Sequence, residues 1–373
     1  MNINIDTSAE YGTDLIMSSR VNAIDPQSDS SLMQLPQELR DCIYGYVFST
    51  TRFCFGERAV GRIDIDTRRV VSANRGKSLA LLRVCKRMHS EIGTSWLSQA
   101  LFHFEDPTAL LDKLASVDDH TRSHIRHLRV SGDPLKVTWG YDCVHWRTSQ
   151  ALKLLPGLNL TRLTVLGNKY ARTSYETLDS LIKYSSGWKE LYYLTHNSAP
   201  LGFRAVFDAQ SNPRMPQPDT WQQAIKARDG EGSSVTLYRS KSPTRGSVLD
   251  PAKRTVLRQH LRPGQTAATY GNTKDQSLMV PGEREKELLV VVERGSGIDC
   301  AEKNPASYLP FGDPRIFSPA RTWSEVKELS REMRTLESCG DASDDDSEDE
   351  DDCLLDIYDH VDDYTWPPFH FVR

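Results

Sequence analysis

The sequence predicts a mixed α/β fold in which helices come first and an irregular series of strand-plus-helix units follows. Three observations predict it. Apolar residues recur at helical spacing from Leu35 to Tyr46 and again from Leu81 to Trp96. Beyond residue 120, a short element with apolar residues at its first, fourth and sixth positions occurs three times. Leu288, Leu289, Val290, Val291 and Val292 form a continuous aliphatic run, far short of the roughly 20 residues of a membrane helix and suited to a strand.

The 373 residues are enough for two or three structural units, and 38% hydrophobic with 26% charged content is near that of globular chains. Seven scattered cysteines with no C-x-x-C pair argue against a disulfide framework and a zinc ribbon, and fit a reducing compartment. The first thirty residues carry Asp6, Glu10, Asp14 and Asp25 with no basic or apolar leader, so no secretory signal is read there. The expected location is cytoplasmic, nuclear or both, with no membrane partner.

Residues 1–30 are polar and aperiodic and are expected to be disordered. In the LPQELRDCIYGYVF segment, Leu35, Leu39, Ile43 and Tyr46 define one helix face, Pro36 suits a first helical position, and Glu38 complements the helix dipole. From Arg52 to Lys77 the FCF, RIDI and RRVV runs predict a hairpin or paired short strands. Leu79 to Phe102 reads as one long helix, with Leu81, Val84, Met88, Ile92 and Trp96 on its core face and Lys86, Arg87, Ser90 and Glu91 opposite.

The three repeated elements are Ile125/Leu128/Val130, Leu160/Leu163/Val165 and Trp188/Leu191/Tyr193. The second, LTRLTVLGN, fits the L-x-x-L-x-L-x-x-N leucine-rich pattern, in which the asparagine, here Asn168, caps the turn after the strand. Asp133 and His196 hold the ninth position in the other copies. Intervening helices are expected at 146–155 and 174–184, giving parallel strands with helical crossovers, either as a degenerate leucine-rich-repeat-like array or as ordinary βα units. After Pro200 the pattern is ragged: a helix near 220–228, strands at 235–239 and 288–293, a helix at 323–336, and looser order overall.

The Leu35–Phe48 helix followed by LALLRVCKRMHSEIGTSWLSQALFHF resembles the F-box-like domain of a large group of fungal proteins. The L-P-x-E opening and its apolar helix correspond to Leu35, Pro36, Glu38, Leu39 and Ile43, and the V-C-[KR] segment to Val84, Cys85, Lys86 and Arg87. The resemblance implies a substrate receptor of a Skp1-cullin-F-box-type ubiquitin ligase. Leu35, Pro36, Leu39, Ile43, Val84 and Cys85 would then meet a Skp1-type adaptor; the other reading makes these residues the domain's own core. The chain departs from the family in the Arg-rich insertion between the helices and in Met88-His89, where an aromatic residue is common.

Chemistry-bearing patterns are few. Arg75-Gly76-Lys77-Ser78 resembles the end of a phosphate-binding loop, but the upstream glycine is replaced by Val71. His120, His124 and His127 share helical spacing, as do Cys85 and His89, yet the histidines sit among Arg122, Arg126 and Arg129. No hydrolase elbow, zinc-protease helix or dinucleotide turn occurs, so neither catalysis nor a cofactor or metal is expected.

Charge is segregated. Arg52 to Arg87 holds ten basic and three acidic residues, with Arg68, Arg69, Arg75, Lys77, Lys86 and Arg87 as the candidate basic patch. Such a block suits an acidic partner; nucleic acid is disfavoured because few aromatic residues are interleaved. Between Gly340 and Cys353 nine acids occur with no base, surrounding Ser343 and Ser347 in a context favoured by acidophilic kinases of the casein-kinase-2 type. That run would shield the basic block, as the autoinhibitory tail of a regulatory protein whose basic face binds nucleic acid or another acidic partner, the alternative to the ligase reading. The expected organisation is a disordered 1–30, an F-box-like unit at 31–118 with its inserted hairpin, and an α/β repeat-like region at 119–338. An acidic linker at 339–353 and an aromatic segment at 354–373 that docks on the body complete it.

Overall fold

The computed structural model describes residues 30–56, 77–139, 142–202, 215–266, 278, 280–303, 323–328 and 358. Two helices open the described chain, α1 (Ser31–Gln34) and α2 (Gln37–Ser49), followed by strand β1 (Arg52–Phe55). Next come α3 (Lys77–Val84), α4 (Lys86–Ile92), α5 (Ser95–Gln99) and β2 (Leu101–Phe104).

The single long helix expected over 79–102 is therefore three short ones and a strand. Cys85 adopts an extended conformation (φ −157°, ψ 160°) and its Sγ accepts the Met88 N–H, so it caps α4 instead of continuing α3. Gly93, at φ +49°, ends α4 in a conformation that disfavours any side chain. The capping and termination come from residue chemistry that a count of apolar spacing does not register.

The remainder comprises α6 (Pro107–Leu114), α7 (Asp119–Arg122), β3 (His127–Ser131), the hairpin β4 (Leu135–Trp139) and β5 (Asp142–Trp146), α8 (Thr148–Leu152), β6 (Leu160–Leu166), α9 (Ala171–Tyr184) and β7 (Trp188–Thr195). Then follow α10 (Ala199–Gly202), α11 (Asp219–Asp229), β8 (Ser234–Ser240), β9 (Arg254–Leu257), α12 (Pro281–Arg284), β10 (Leu288–Glu293) and α13 (323–328). No helix among the described residues is long and apolar enough to cross a membrane.

One eight-stranded sheet organises the molecule, in the order β1-β2-β3-β6-β7-β10-β8-β9. The first five strands are parallel and follow chain order, and the last three pair antiparallel. Crossovers between adjacent parallel strands are right-handed almost without exception, so a progression in one direction puts every connecting helix on the same face. The main core agrees: Leu110 and Leu111 of α6, Leu152 of α8, Leu178 and Leu181 of α9, and Trp221 and Ile225 of α11 all pack into it.

The repeated triplets lie in register. Leu128 pairs with Leu163 and Leu163 with Leu191, while Val130 pairs with Val165 and Val165 with Tyr193. The rows continue through Phe102 and Phe104 to Phe53 and Phe55, and in the other direction through Val290 and Val292 to Leu237 and Val235. Because strand side chains alternate faces, each row is a column of apolar side chains facing the helices.

Three features of the sheet bear on those expectations. Strand β1 pairs parallel with β2 in the large sheet, and the RIDI and RRVV runs of the expected hairpin or paired strands lie outside the described residues. The sheet passes through position 118 without interruption, since β2 pairs with β3. Beyond Pro200, where the sequence pattern is ragged, β8, β9 and β10 belong to the same sheet, and β10 sits between β7 and β8 with all five aliphatic residues buried.

Candidate functional site

Helix α2 is apolar on two faces. Tyr44 and Phe48 turn inward and, with Met33, Met88 and Ile92, form a small core of their own. Arg40 lies on the same side, where its Nε and Nη2 grip Glu91 at 2.9 and 2.6 Å; Tyr44 donates to Glu91 at 3.2 Å and Arg87 at 3.0 Å. Hydrogen bonding from Arg40 holds the Glu91 carboxyl below its ordinary range despite partial burial. Glu91 is thus a structural hinge-pin between α2 and α4, not the solvent-side residue the periodicity implied.

The other face of α2 carries Leu39, Ile43 and Tyr46, which are 51%, 38% and 58% exposed. Val84, at the end of α3, is 61% exposed, Pro36 is exposed, and Leu35 and Cys85 are half-buried. Of the two readings of these residues, core or contact surface, the packing removes the first for Leu39, Ile43 and Val84. Val84 does not join Met88 and Ile92 on one face, because the break at Cys85 separates their helices.

The basic patch is only partly described. Arg68, Arg69 and Arg75 lie outside the described residues, as do Ser343 and Ser347; Lys77 opens α3 and Lys86 is exposed. Arg87 is half-buried and joined to Glu91. The three histidines diverge: His120 and His124 meet edge to face at 4.7 Å, whereas His127 lies in β3, where burial and then Arg162 and Arg126 push its pKa down to about 4. The arginines among them are occupied by structure, Arg122 with the carbonyls of Leu114 and Val117 and Arg129 with His103. Among the described residues no group of three or more His, Cys, Asp and Glu side chains is placed to hold a metal.

A second polar centre, which the sequence did not single out, lies at the carboxyl ends of the parallel strands. Here two of the three ninth positions of the triplet elements meet: Asn168 donates to Asp133 at 2.5 Å, and its Oδ1 accepts the Tyr170 N–H in the turn after β6. Gly167 is required for the close approach; a Cβ there would lie 2.6 Å from Thr195 and 2.7 Å from the Ser174 hydroxyl. On the sheet face away from the helices, Leu166, Leu194, Leu289, Val291 and Val248 enclose the ring of Tyr358. The only signal for this contact was the apolar character of the 354–373 segment; of that segment, Tyr358 is the described residue, and it is buried.

Beneath the opposite ends of β7 and β10, Asp229 receives paired hydrogen bonds from Arg294 at 2.7 and 2.9 Å and from Arg228 at 2.9 and 3.1 Å. Both guanidiniums lie over the Trp188 ring. Burial opposes ionisation of Asp229, yet the two arginines hold its carboxyl below the ordinary range. All donors and acceptors face each other, which marks a structural ion triad.

No protein-family model, curated protein or solved structure matches this chain.

Proposed function

We propose that the chain is a non-catalytic protein-interaction protein whose amino-terminal helices dock a Skp1-type adaptor, as a substrate receptor of a Skp1-cullin-F-box-type ligase does. The supporting observation is the solvent-exposed pair Leu39 and Ile43 on a helix whose other side is packed into a core. An amphipathic helix with a second, exposed apolar face is the form that helix-in-groove and helix-on-helix docking uses. The L-P-x-E and V-C-[KR] segments place the same residues on the adaptor-facing surface of the family this region resembles. The sheet would then carry the recognition of a second protein, and no bond chemistry is assigned to the chain.

The test is a pull-down of the full chain with a Skp1-type adaptor, wild type against Ile43→Asp. Substitution at an exposed site changes stability by about 0.5 kcal/mol or less, so the variant should melt with wild type. Binding by wild type and its loss in the folded variant is the expected result. Failure of wild type to bind the adaptor overturns the reading.

A further inference from the structure

Tyr358 is held by backbone groups, and those groups define a site. Its hydroxyl donates to the Gly167 carbonyl at 2.8 Å, lies 3.3 Å from the Leu194 carbonyl and accepts the His196 N–H at 3.2 Å. These main-chain groups lie at the carboxyl ends of β6 and β7, where the Leu194 carbonyl also accepts the Gly167 N–H at 2.7 Å. The ring fills an apolar slot between Leu166, Leu194, Val248, Leu289 and Val291. A phenol satisfies both requirements at once, since it supplies one donor, one acceptor and an apolar body. Two stacked pairs border the slot: Arg254 lies 4.1 Å over the Tyr238 ring, and Arg162, paired with Glu190 at 3.0 Å, lies 4.3 Å over the Tyr192 ring. The side chain that occupies it is flanked in sequence by Asp356 and Asp359.

We infer that this slot is a tyrosine-recognition site, filled in cis by Tyr358 and open in trans to a peptide that presents a tyrosine. The occupant already in place is the chain's own competitor, so a trans peptide must displace it. A tethered ligand acts at an effective concentration on the order of millimolar, which makes the site silent to weak peptides until the tether lets go. This goes beyond adaptor docking and does not depend on it, because the slot is built from β6, β7 and β10 and not from α2.

The experiment uses the full chain and a fluorescent nonapeptide, Leu354–Asp362 of this sequence, in an anisotropy titration with no adaptor present. The Tyr358→Ala chain should bind the peptide at least tenfold more tightly than wild type does. A peptide with phenylalanine for tyrosine should bind that variant about fivefold to tenfold more weakly, the loss expected for a buried hydroxyl that no longer meets its partners. The Tyr358→Phe chain, which keeps the ring in the slot, provides the same comparison if the alanine variant does not fold, and should bind the tyrosine peptide more tightly than wild type. Equal affinity of wild type and variant, no binding by the variant, or equal affinity of the two peptides would each overturn the inference.

Discussion

At the scale of single residues, His127 makes the clearest prediction. Its folded pKa of about 4 lies below the ordinary 6.5, because the half-buried imidazole stays neutral beside Arg162 and Arg126. As pH falls below about 6.5 the unfolded chain takes up a proton that the folded chain refuses. Stability is therefore lost progressively between about pH 6.5 and 4, by roughly 3 kcal/mol in all. A His127→Gln chain should show a flatter dependence of Tm on pH across that window, and curves of equal slope would sink the assignment. Glu91 has the same sign at lower pH. Its carboxylate is stabilised by Arg40, so its contribution is present above the ordinary carboxyl range and disappears as pH falls through the depressed folded pKa.

At the scale of elements, α2 shows what periodicity can and cannot tell. Leu39, Ile43 and Tyr46 do share a face of α2, as their spacing implies, whereas Leu35 lies before that helix, in an extended conformation at the end of α1. Tyr44 and Phe48 share another, and spacing alone does not say which of two apolar stripes meets the core. The answer comes from α4, whose Met88 and Ile92 accept Phe48 and whose Glu91 takes Arg40. Truncation of the fully buried Phe48 to alanine should cost about 3–5 kcal/mol in chemical denaturation, against almost nothing for Leu39→Ala on the opposite face. Equal costs would mean the face assignment is inverted. The candidate site was thus legible as a set of residue numbers but not as a surface. The same limit explains α3 to α5: one apolar stripe hid two breaks, since Cys85 as a cap and Gly93 at positive φ leave that stripe intact. The triplets fared better because their pattern belongs to strands whose alternate residues must all face the helices. Leu101–Phe104 escaped because a four-residue strand is too short to distinguish from a helix end.

At the scale of the whole molecule, the two ends of the sheet are secured differently. The apolar columns continue across the strands, but near Trp188 the chain relies on the Asp229 triad, where a carboxylate balances two guanidiniums. Asp229→Asn keeps the shape and removes the charge, leaving Arg228 and Arg294 facing each other. It should destabilise the fold by about 3–5 kcal/mol in urea, and a change below 1 kcal/mol would show the triad to be dispensable. Its ionisation also contributes stability that is present above the ordinary carboxyl range and is lost as pH falls through its lowered pKa. None of this was visible in the sequence, where Arg228-Asp229 and Arg294 are 65 positions apart and polar throughout.

The place of β10 in the sheet has a consequence during synthesis. The five parallel strands leave the ribosome in the order in which they pair, so each finds its neighbour already made. Strand β8 emerges next but cannot join β7, because the space between them belongs to residues 288–293. Until those residues arrive, β7 presents a bare edge, and bare edges are where nascent chains adhere to one another. Among the described strands the last to emerge is the one that joins β7 to β8, and a pause in translation just before it would leave the nascent chain at its most adhesive.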